Sequence, residues 1–519
     1  MNPFPTLRPL ARALIALCCT PALAATLPAG LQVQQGQAQL QQQGNQLTVR
    51  NSPNAILNWQ SFSVGPGAGV YFEQAHAASK VLNRVVGHEP SQILGSLGSN
   101  GQVWLLNPHG VLFGAGARVD VASLVTSTLS LSDADFIRGR YRFSTEQGAS
   151  VRNEAALRGS LGGQIVLLGG RVENLGSIEA GQVQLAAARQ VELVDSGAPN
   201  LTVRVEVPAG EVLNLGHLSA PGGRIDVHAA SVNQQGLVQA DSLGTDAQGR
   251  IVLQASQRLT LAAGSQTAAA GGEIQLLGQE VALLDGSRAD TSAPAGGGRI
   301  YVGGGAGGRD AAVPNARAVY MGPQAELRAD ATLSGDGGSI WLWSNEATRA
   351  HGRFSAQGGP QGGNGGFVET SGGWLDAQPS LLNLQAAQGR NGLWLLDPND
   401  IRLVSSGPDS NISGGPNFSS TGDSSVLNVA TLAAALNAGN SVTVATATAG
   451  ANTQAGNILA DSIALSVSPP SPVSLTLDAH ADILISNSSF SSSGAALTLH
   501  LDASTGIHLD HVTVNAAGA

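Results

Sequence analysis

A pair of glycines followed by a short alternating strand recurs along this chain, and it limits the possible folds more than any other feature. Gly162-Gly163-Gln164-Ile165-Val166-Leu167 is followed by Gly222-Gly223-Arg224-Ile225-Asp226-Val227, Gly249-Arg250-Ile251-Val252-Leu253 and Gly271-Gly272-Glu273-Ile274-Gln275-Leu276. Gly297-Gly298-Arg299-Ile300-Tyr301-Val302, Gly337-Gly338-Ser339-Ile340-Trp341-Leu342 and Gly365-Gly366-Phe367-Val368-Glu369-Thr370 close the series. From Gly223 through Gly249 and Gly272 to Gly298 the steps are 26, 23 and 26 residues. Apolar residues at every second position predict strands. Weaker strand signals precede the glycines, in "GHLSAPGG", "GLVQADS", "GSQTAAAGG" and "AELRADATLSGDGG". A unit this short cannot bury its own apolar face, but stacking on its neighbours at about 4.8 Å per coil builds a continuous core. With no helix-length amphipathic stretch between units, the fold expected is a parallel β-helix. Coils of about 24 residues from Leu31 to about Leu403 make some fifteen layers, a rod of roughly 70 Å.

Composition agrees with a solenoid and removes several functions. The 519 residues include 68 glycines, 4% are aromatic and 12% charged, yet 42% are hydrophobic, too many for a disordered chain. The net charge is −10 and Lys80 is the single lysine, so the basic surface of a nucleic-acid binder and a Walker-type phosphate loop are both missing. Gly303–Gly308 fits G-x-G-x-x-G, but Pro314 follows with no clear helix, so the stretch reads as a loop. His76, His88, His109, His217 and His351 lack metal-ligand spacing and read as surface or turn residues; no cofactor or metal is expected. Asp133, Asp135, Asp226 and Glu273 are scattered and read as solvated positions, which leaves a carbohydrate-active β-helix enzyme as the weaker alternative.

Arg8 and Arg12 precede the apolar run from Ala13 to Cys19, and Ala22-Leu23-Ala24 supplies small residues for cleavage. This is the layout of a secretory signal, too short for a membrane span. Leu17 is bulky for a lipoprotein-type site at Cys18. Cleavage near Ala24 removes both cysteines, Cys18 and Cys19, so the mature chain holds no disulfide.

In "NGQVWLLNPHGVLFGAGARVDV" two apolar runs flank Asn107-Pro108-His109-Gly110. Asn at the first position, Pro at the second and Gly at the fourth fit a type I turn, and the reading is a corner of the helix, not a catalytic loop. Asp397-Pro398-Asn399-Asp400 repeats the device without the glycine.

The stretch "QVQQGQAQLQQQGNQLTVRNSPNAILNWQSFSVGPGAGVYFEQ", then "VLNRVVGHEPSQILGSLGSNGQVWLLNPHGVLFGAGARVDVASLVTSTLSL", resembles the secretion domain of filamentous-haemagglutinin-like exoproteins, the passengers of two-partner secretion. The resemblance is dense from Leu31 to Phe143 and rests on Asn58, Trp59 and Phe62, on Asn83 and Arg84, and on Asn107, Pro108 and Gly110. It implies a right-handed parallel β-helix, exported by an Omp85-type outer-membrane partner whose periplasmic domains recognise the N-terminal domain. It implies an adhesin or haemagglutinin with a host-cell or surface ligand; a toxin or haem-acquisition passenger is the family alternative. The family usually has Asn where this chain has His109. The organisation expected is a signal at 1–24, a secretion domain at 25–250, further repeats at 251–403, a Ser/Gly-rich linker at 404–425 and β-helix-like strands at 426–519. The last part holds a short helix in "VATLAAALNAGN" with Gly439 as its stop, and its abrupt end suggests a short or truncated passenger.

N-terminal sequencing of secreted protein should therefore begin within a few residues of Ala25. Retention of Cys18 in that product would refute the signal assignment.

Overall fold

Inward residues of the recurring strand lie in register from coil to coil. The computed structural model describes residues 26–195, 201–241, 249–406, 412–414, 418–420, 425–448 and 453–516. The expected signal at 1–24 and much of the Ser/Gly-rich stretch lie outside them. Ala55 lies beside Val81, followed by Val103, Leu124, Ile165 and Val183. The row continues through Ile225, Ile251, Ile274, Ile300 and Ile340 to Val368, Trp394, Val442, Leu475 and Leu499. Every step is parallel, and every residue but Leu499 is buried. At about 4.8 Å per coil the sixteen layers span about 70 Å. Two further parallel faces close each coil: the weaker strands His217–Ser219, Leu237–Gln239 and Gln266–Ala268 belong to one of them. The chain is a parallel β-helix, and the five isoleucines of the repeat point into its core.

The second glycine of each pair is fixed by the coil below. A Cβ on Gly272 would fall 2.0 Å from the carbonyl oxygen of Gly249. On Gly298 it would lie 2.2 Å from Gly272 O, and on Gly338 2.1 Å from Gly298 O. Those carbonyls accept the amides of Glu273, Arg299 and Ser339 at 2.9–3.0 Å. The corner is closed tightly enough to leave no room for a side chain.

A second row fills one corner with amides. Asn153 Nδ2 donates to Asn174 Oδ1 at 2.8 Å, Asn174 Nδ2 to Asn214 Oδ1 at 2.8 Å, and Asn214 Nδ2 to Gln234 Oε1 at 2.7 Å. All four residues are buried. An amide carries both donor and acceptor, so a column of them satisfies itself where a lone buried one would cost about 1–3 kcal/mol.

The N-terminal end is closed by antiparallel strands, Gln32–Gln35 on Ala55–Trp59 and Ala38–Gln43 on Gln46–Asn51. Near the other end the helix Val429–Asn437 begins at Asn428, whose side chain accepts the Ala430 amide, and Gly439 follows it at φ +86°. Its Leu432 and Leu436 enter the main core. Two excursions leave the repeat on its outer side. Residues 128–144 hold a one-turn helix, Asp133–Ile137, and Leu201–Pro208 folds back antiparallel on Gln182–Asp195.

Reading the acidic residues as solvated is corrected at Asp226. Asp226 is fully buried and paired with Arg224 Nε at 2.6 Å. Asp133 lies 2.7 Å from Arg84. An arginine two residues away along a strand shares its face, and this lets a carboxylate be buried on the outer side.

Adjacent glycines in one dipeptide should respond oppositely. A Cβ on Gly163 would lie 1.9 Å from Ala122 O, whereas one on Gly162 would meet nothing within 4 Å. Gly163→Ala should lower stability by about 1–3 kcal/mol or prevent folding, and Gly162→Ala should stay within about 0.5 kcal/mol, as read by denaturant melts.

Candidate functional site

The residues that carry the family resemblance form a belt in the first coils, and most of them face inward. Trp59 is fully buried, and its indole N–H donates to Asn83 Oδ1 at 3.0 Å. Asn83 Nδ2 in turn donates to the Trp104 carbonyl at 3.3 Å. Phe62 packs edge-on against Trp59 with centroids 5.5 Å apart, and against Phe72 at 6.3 Å. Asn83 thus places a polar side chain in the main core and has it satisfied by the coils on either side.

Arg84 and its register neighbour Asn58 both lie on the outer face. The Arg84 guanidinium reaches Asp133 Oδ1 at 2.7 Å and the Leu131 carbonyl at 2.7 Å, which ties the 128–144 excursion to the rod. Asn58 is half-buried, and its Oδ1 has no hydrogen-bond partner among the described residues.

Asn107 is fully buried and satisfied on three sides. Its Nδ2 donates to the Glu89 carbonyl at 2.9 Å and to Ser91 Oγ at 3.0 Å, and its Oδ1 accepts the His109 amide at 2.9 Å. Its carbonyl accepts the Gly110 amide at 3.1 Å, so the tetrad is the hydrogen-bonded corner expected. Gly110 stands at φ +118°, and a Cβ there would come no nearer than 3.5 Å to any neighbour. Backbone conformation, not space, demands the glycine. Pro108 and His109 are exposed, and the His109 ring meets His88 edge-on at 5.6 Å. No catalytic constellation results: the belt holds coils together and leaves little side-chain surface free.

Sequence reasoning missed the satellite core beside this belt. Trp104, Phe136, Tyr141 and Phe143 pack together outside the helix, with Trp104–Tyr141 centroids 4.7 Å apart. Lys80 lies 4.9 Å from the Tyr141 ring centre and bonds the Tyr141 hydroxyl. The signal was present in Ser132 and Asp135, a helix-capping pair whose side chains bond at 2.8 Å.

Two further places carry unusual electrostatics. A cleft of about 650 Å³ lies between Leu201–Pro208 and the outer face of the rod, lined by Arg204, Arg224, His228 and Gln254. Burial holds the His228 imidazole below its usual pKa, and the neighbouring Asp226 opposes this. Farther along, the Gly303–Gly308 loop lies against Trp343, and Glu369 accepts the Gly307 amide at 3.0 Å and the Ser371 hydroxyl at 3.0 Å. Burial pushes Glu369 up to about 7 and Asp397 up to about 6. Among the described residues no group of three His, Cys, Asp or Glu is placed to hold a metal, and no helix is long and apolar enough to cross a membrane.

Residues 24–276 match the family model described as TPS secretion domain. The secretion domain of HMW1 from Haemophilus influenzae superposes with a TM-score of 0.64 at 30% identity, covering 71% of this chain and 100% of that one. Two heme/hemopexin-binding proteins of Haemophilus influenzae are 32% identical over 228 residues and 37% identical over 101. These cover 41% and 19% of this chain, and 25% and 11% of the relatives. The chain thus spans about a quarter or less of the curated relatives it matches.

The buried carboxyls set a pH dependence whose sign is fixed. Both have folded pKa values above their ordinary ones, so their contribution is full below about 4 and is lost as pH rises through about 6 for Asp397 and about 7 for Glu369. These two carboxyls should lower the melting temperature between pH 5 and pH 8, against an opposite trend from His228, whose lowered pKa favours folding as pH rises, and Glu369→Gln should remove its share of the fall. An equal slope in the variant would place the titration elsewhere.

Proposed function

The chain belongs to the two-partner secretion family, and from that premise we propose that it is an exported passenger whose N-terminal coils engage an Omp85-type outer-membrane barrel. The barrel's periplasmic domains recognise residues within 25–250, and the rod then acts outside the cell or on its surface as an adhesin. The observation that carries this reading is the full-length superposition of the HMW1 secretion domain on this chain.

The chemistry of the rod suits such a route. Beyond Cys19 there is no cysteine, so nothing cross-links the chain before it crosses the outer membrane. Each coil bonds chiefly to its neighbours, so coils can be added one at a time as the chain emerges. The first coils must then form without a partner below them. Trp59–Asn83, the Asn107 corner and Arg84 on the 128–144 excursion supply that start with directional bonds, while the antiparallel strands close the open end. The long faces remain for a host-cell or surface ligand. The names of the two Haemophilus influenzae relatives support a second reading, a passenger that binds haem or a haem carrier. Retention of the secreted chain on immobilised hemopexin, compared with adherence to host cells, separates the two.

Damage to the corner should act on export before it acts on adhesion. Asn107→Ala leaves the Glu89 carbonyl and Ser91 hydroxyl without their donor, and Gly110→Val forces a β-branched residue to φ +118°; each should cost about 1–3 kcal/mol. With the partner barrel co-expressed, both variants should show normal signal cleavage but less extracellular and more periplasmic protein. His109→Asn should export at least as well as the parent. Wild-type export of Gly110→Val would remove the secretion role from this corner.

A further inference from the structure

The rod has free strand edges, and they are not protected alike. Leu201–Pro208 pairs on one side only and carries Arg204, Glu206 and Pro208, residues that oppose edge-to-edge pairing. At the other end of the described residues, Leu497–Ala503 and Gly506–Asp510 carry Asp502 and Asp510, and the uncharged strand beyond them, Thr513–Ala516, has only four residues. At the N-terminal end, among the described residues, Gln32–Gln35 pairs only with Ala55–Trp59, and Ala38–Gln43 only with Gln46–Asn51. Neither strand contains a charge or a proline, and every residue in them is exposed except the half-buried Ala38. Val33 is 44% exposed and Leu40 48%.

We propose that this end is a self-association surface, on which a second copy of the chain pairs its own N-terminal edge strands. The occupant follows from charge and side-chain chemistry. The chain carries a net charge of −10, so two copies repel except where charge is absent, and from Thr26 the first charged residue is Arg50. Nine of the fifteen residues from Gln32 to Gln46 are glutamine. Glutamine both donates and accepts, so a glutamine strand is complementary to itself, whereas a charged partner would find no counter-charge. Antiparallel pairing of two Gln39–Gln43 segments about a two-fold axis at Gln41 sets Gln41 opposite its copy and Leu40 opposite Gln42. So few residues a side place the contact at the small end of specific interfaces, and the dimer is concentration-dependent.

Sedimentation velocity on the secreted chain, from which residues 1–24 are expected to be gone, tests this between about 1 and about 100 µM. The parent should shift from monomer to dimer across that range. Leu40→Lys with Gln42→Lys should raise the dissociation constant at least about tenfold with unchanged circular dichroism, since both side chains are exposed. Gln41→Glu should weaken the dimer at low salt and recover it in about 1 M salt. Leu509→Lys, at the far end, should change nothing. A parent that stays monomeric throughout, or a dimer lost in Leu509→Lys and kept in the lysine pair, overturns the proposal. If the lysine pair disturbs the fold, Gln41→Glu decides alone: indifference to that charge is also fatal to it.

Discussion

Everything in this rod depends on how closely one glycine can approach the carbonyl of the coil beneath it. Where Gly298 sits over Gly272, the space for a Cβ is occupied by the oxygen that accepts the Arg299 amide. The corner contact and the first ladder hydrogen bond are thus one event, repeated in successive coils. A larger residue at the corner would lift the strand that follows it away from its parallel partner. Register at the corner also decides which strand residues face inward, because a slip of one would turn Ile274 and Ile300 out to solvent.

Uniform stacking does not by itself give a start, and the polar belt in the first coils supplies one. Apolar rows such as Val111, Val151, Val172, Val212 and Val232 would tolerate displacement by a coil, since any β-branched residue fits any other. Amide columns and the Trp59–Asn83 bond do not, because a displaced amide is left buried without a partner. Directional groups recur along the rod, from Asn83 and Asn107 through the column at Asn153, Asn174, Asn214 and Gln234 to the buried Trp394–Thr370 bond, and they interrupt the apolar packing between glycine corners.

The repeat was legible because its period is local. Gly-Gly followed by alternation needs no knowledge of distant residues, and the isoleucine row follows directly. The corner at Asn107 was legible for the same reason, though the bonds that bury it run to Glu89 and Ser91 and could not be read from the tetrad. What escaped was non-local. Asp226 is fully buried between Gln184 and Val252 of the neighbouring coils with Arg224 as its partner, while its own strand reads as half solvated. Arg84 finds Asp133 across an excursion whose path no periodicity predicts. The satellite core draws Trp104, Phe136 and Tyr141 from separate elements, each of which alone reads as an isolated aromatic. Among the site residues, sequence identified membership of the belt but not direction: Trp59, Asn83 and Asn107 hold coils from inside, while Arg84 works from outside.

The same contrast between inner and outer faces governs where a chain so poor in charge places its ion pairs. Most of its ion pairs run along or between strands on the outer side, as in Arg258–Glu280–Arg317 and Arg152–Glu173–Arg171. Exposed pairs of this kind add little stability each. Their stronger effect is to mark one side of every strand as the wet side, so that the apolar row has only one way to turn. Where the outer side is instead covered, charge can be buried only as a pair, as with Arg224 and Asp226. At the Gln-rich end neither device is present. There the strand is held by backbone bonds on a single edge, and what its outer edge meets is decided by hydrogen-bonding amides and not by charge.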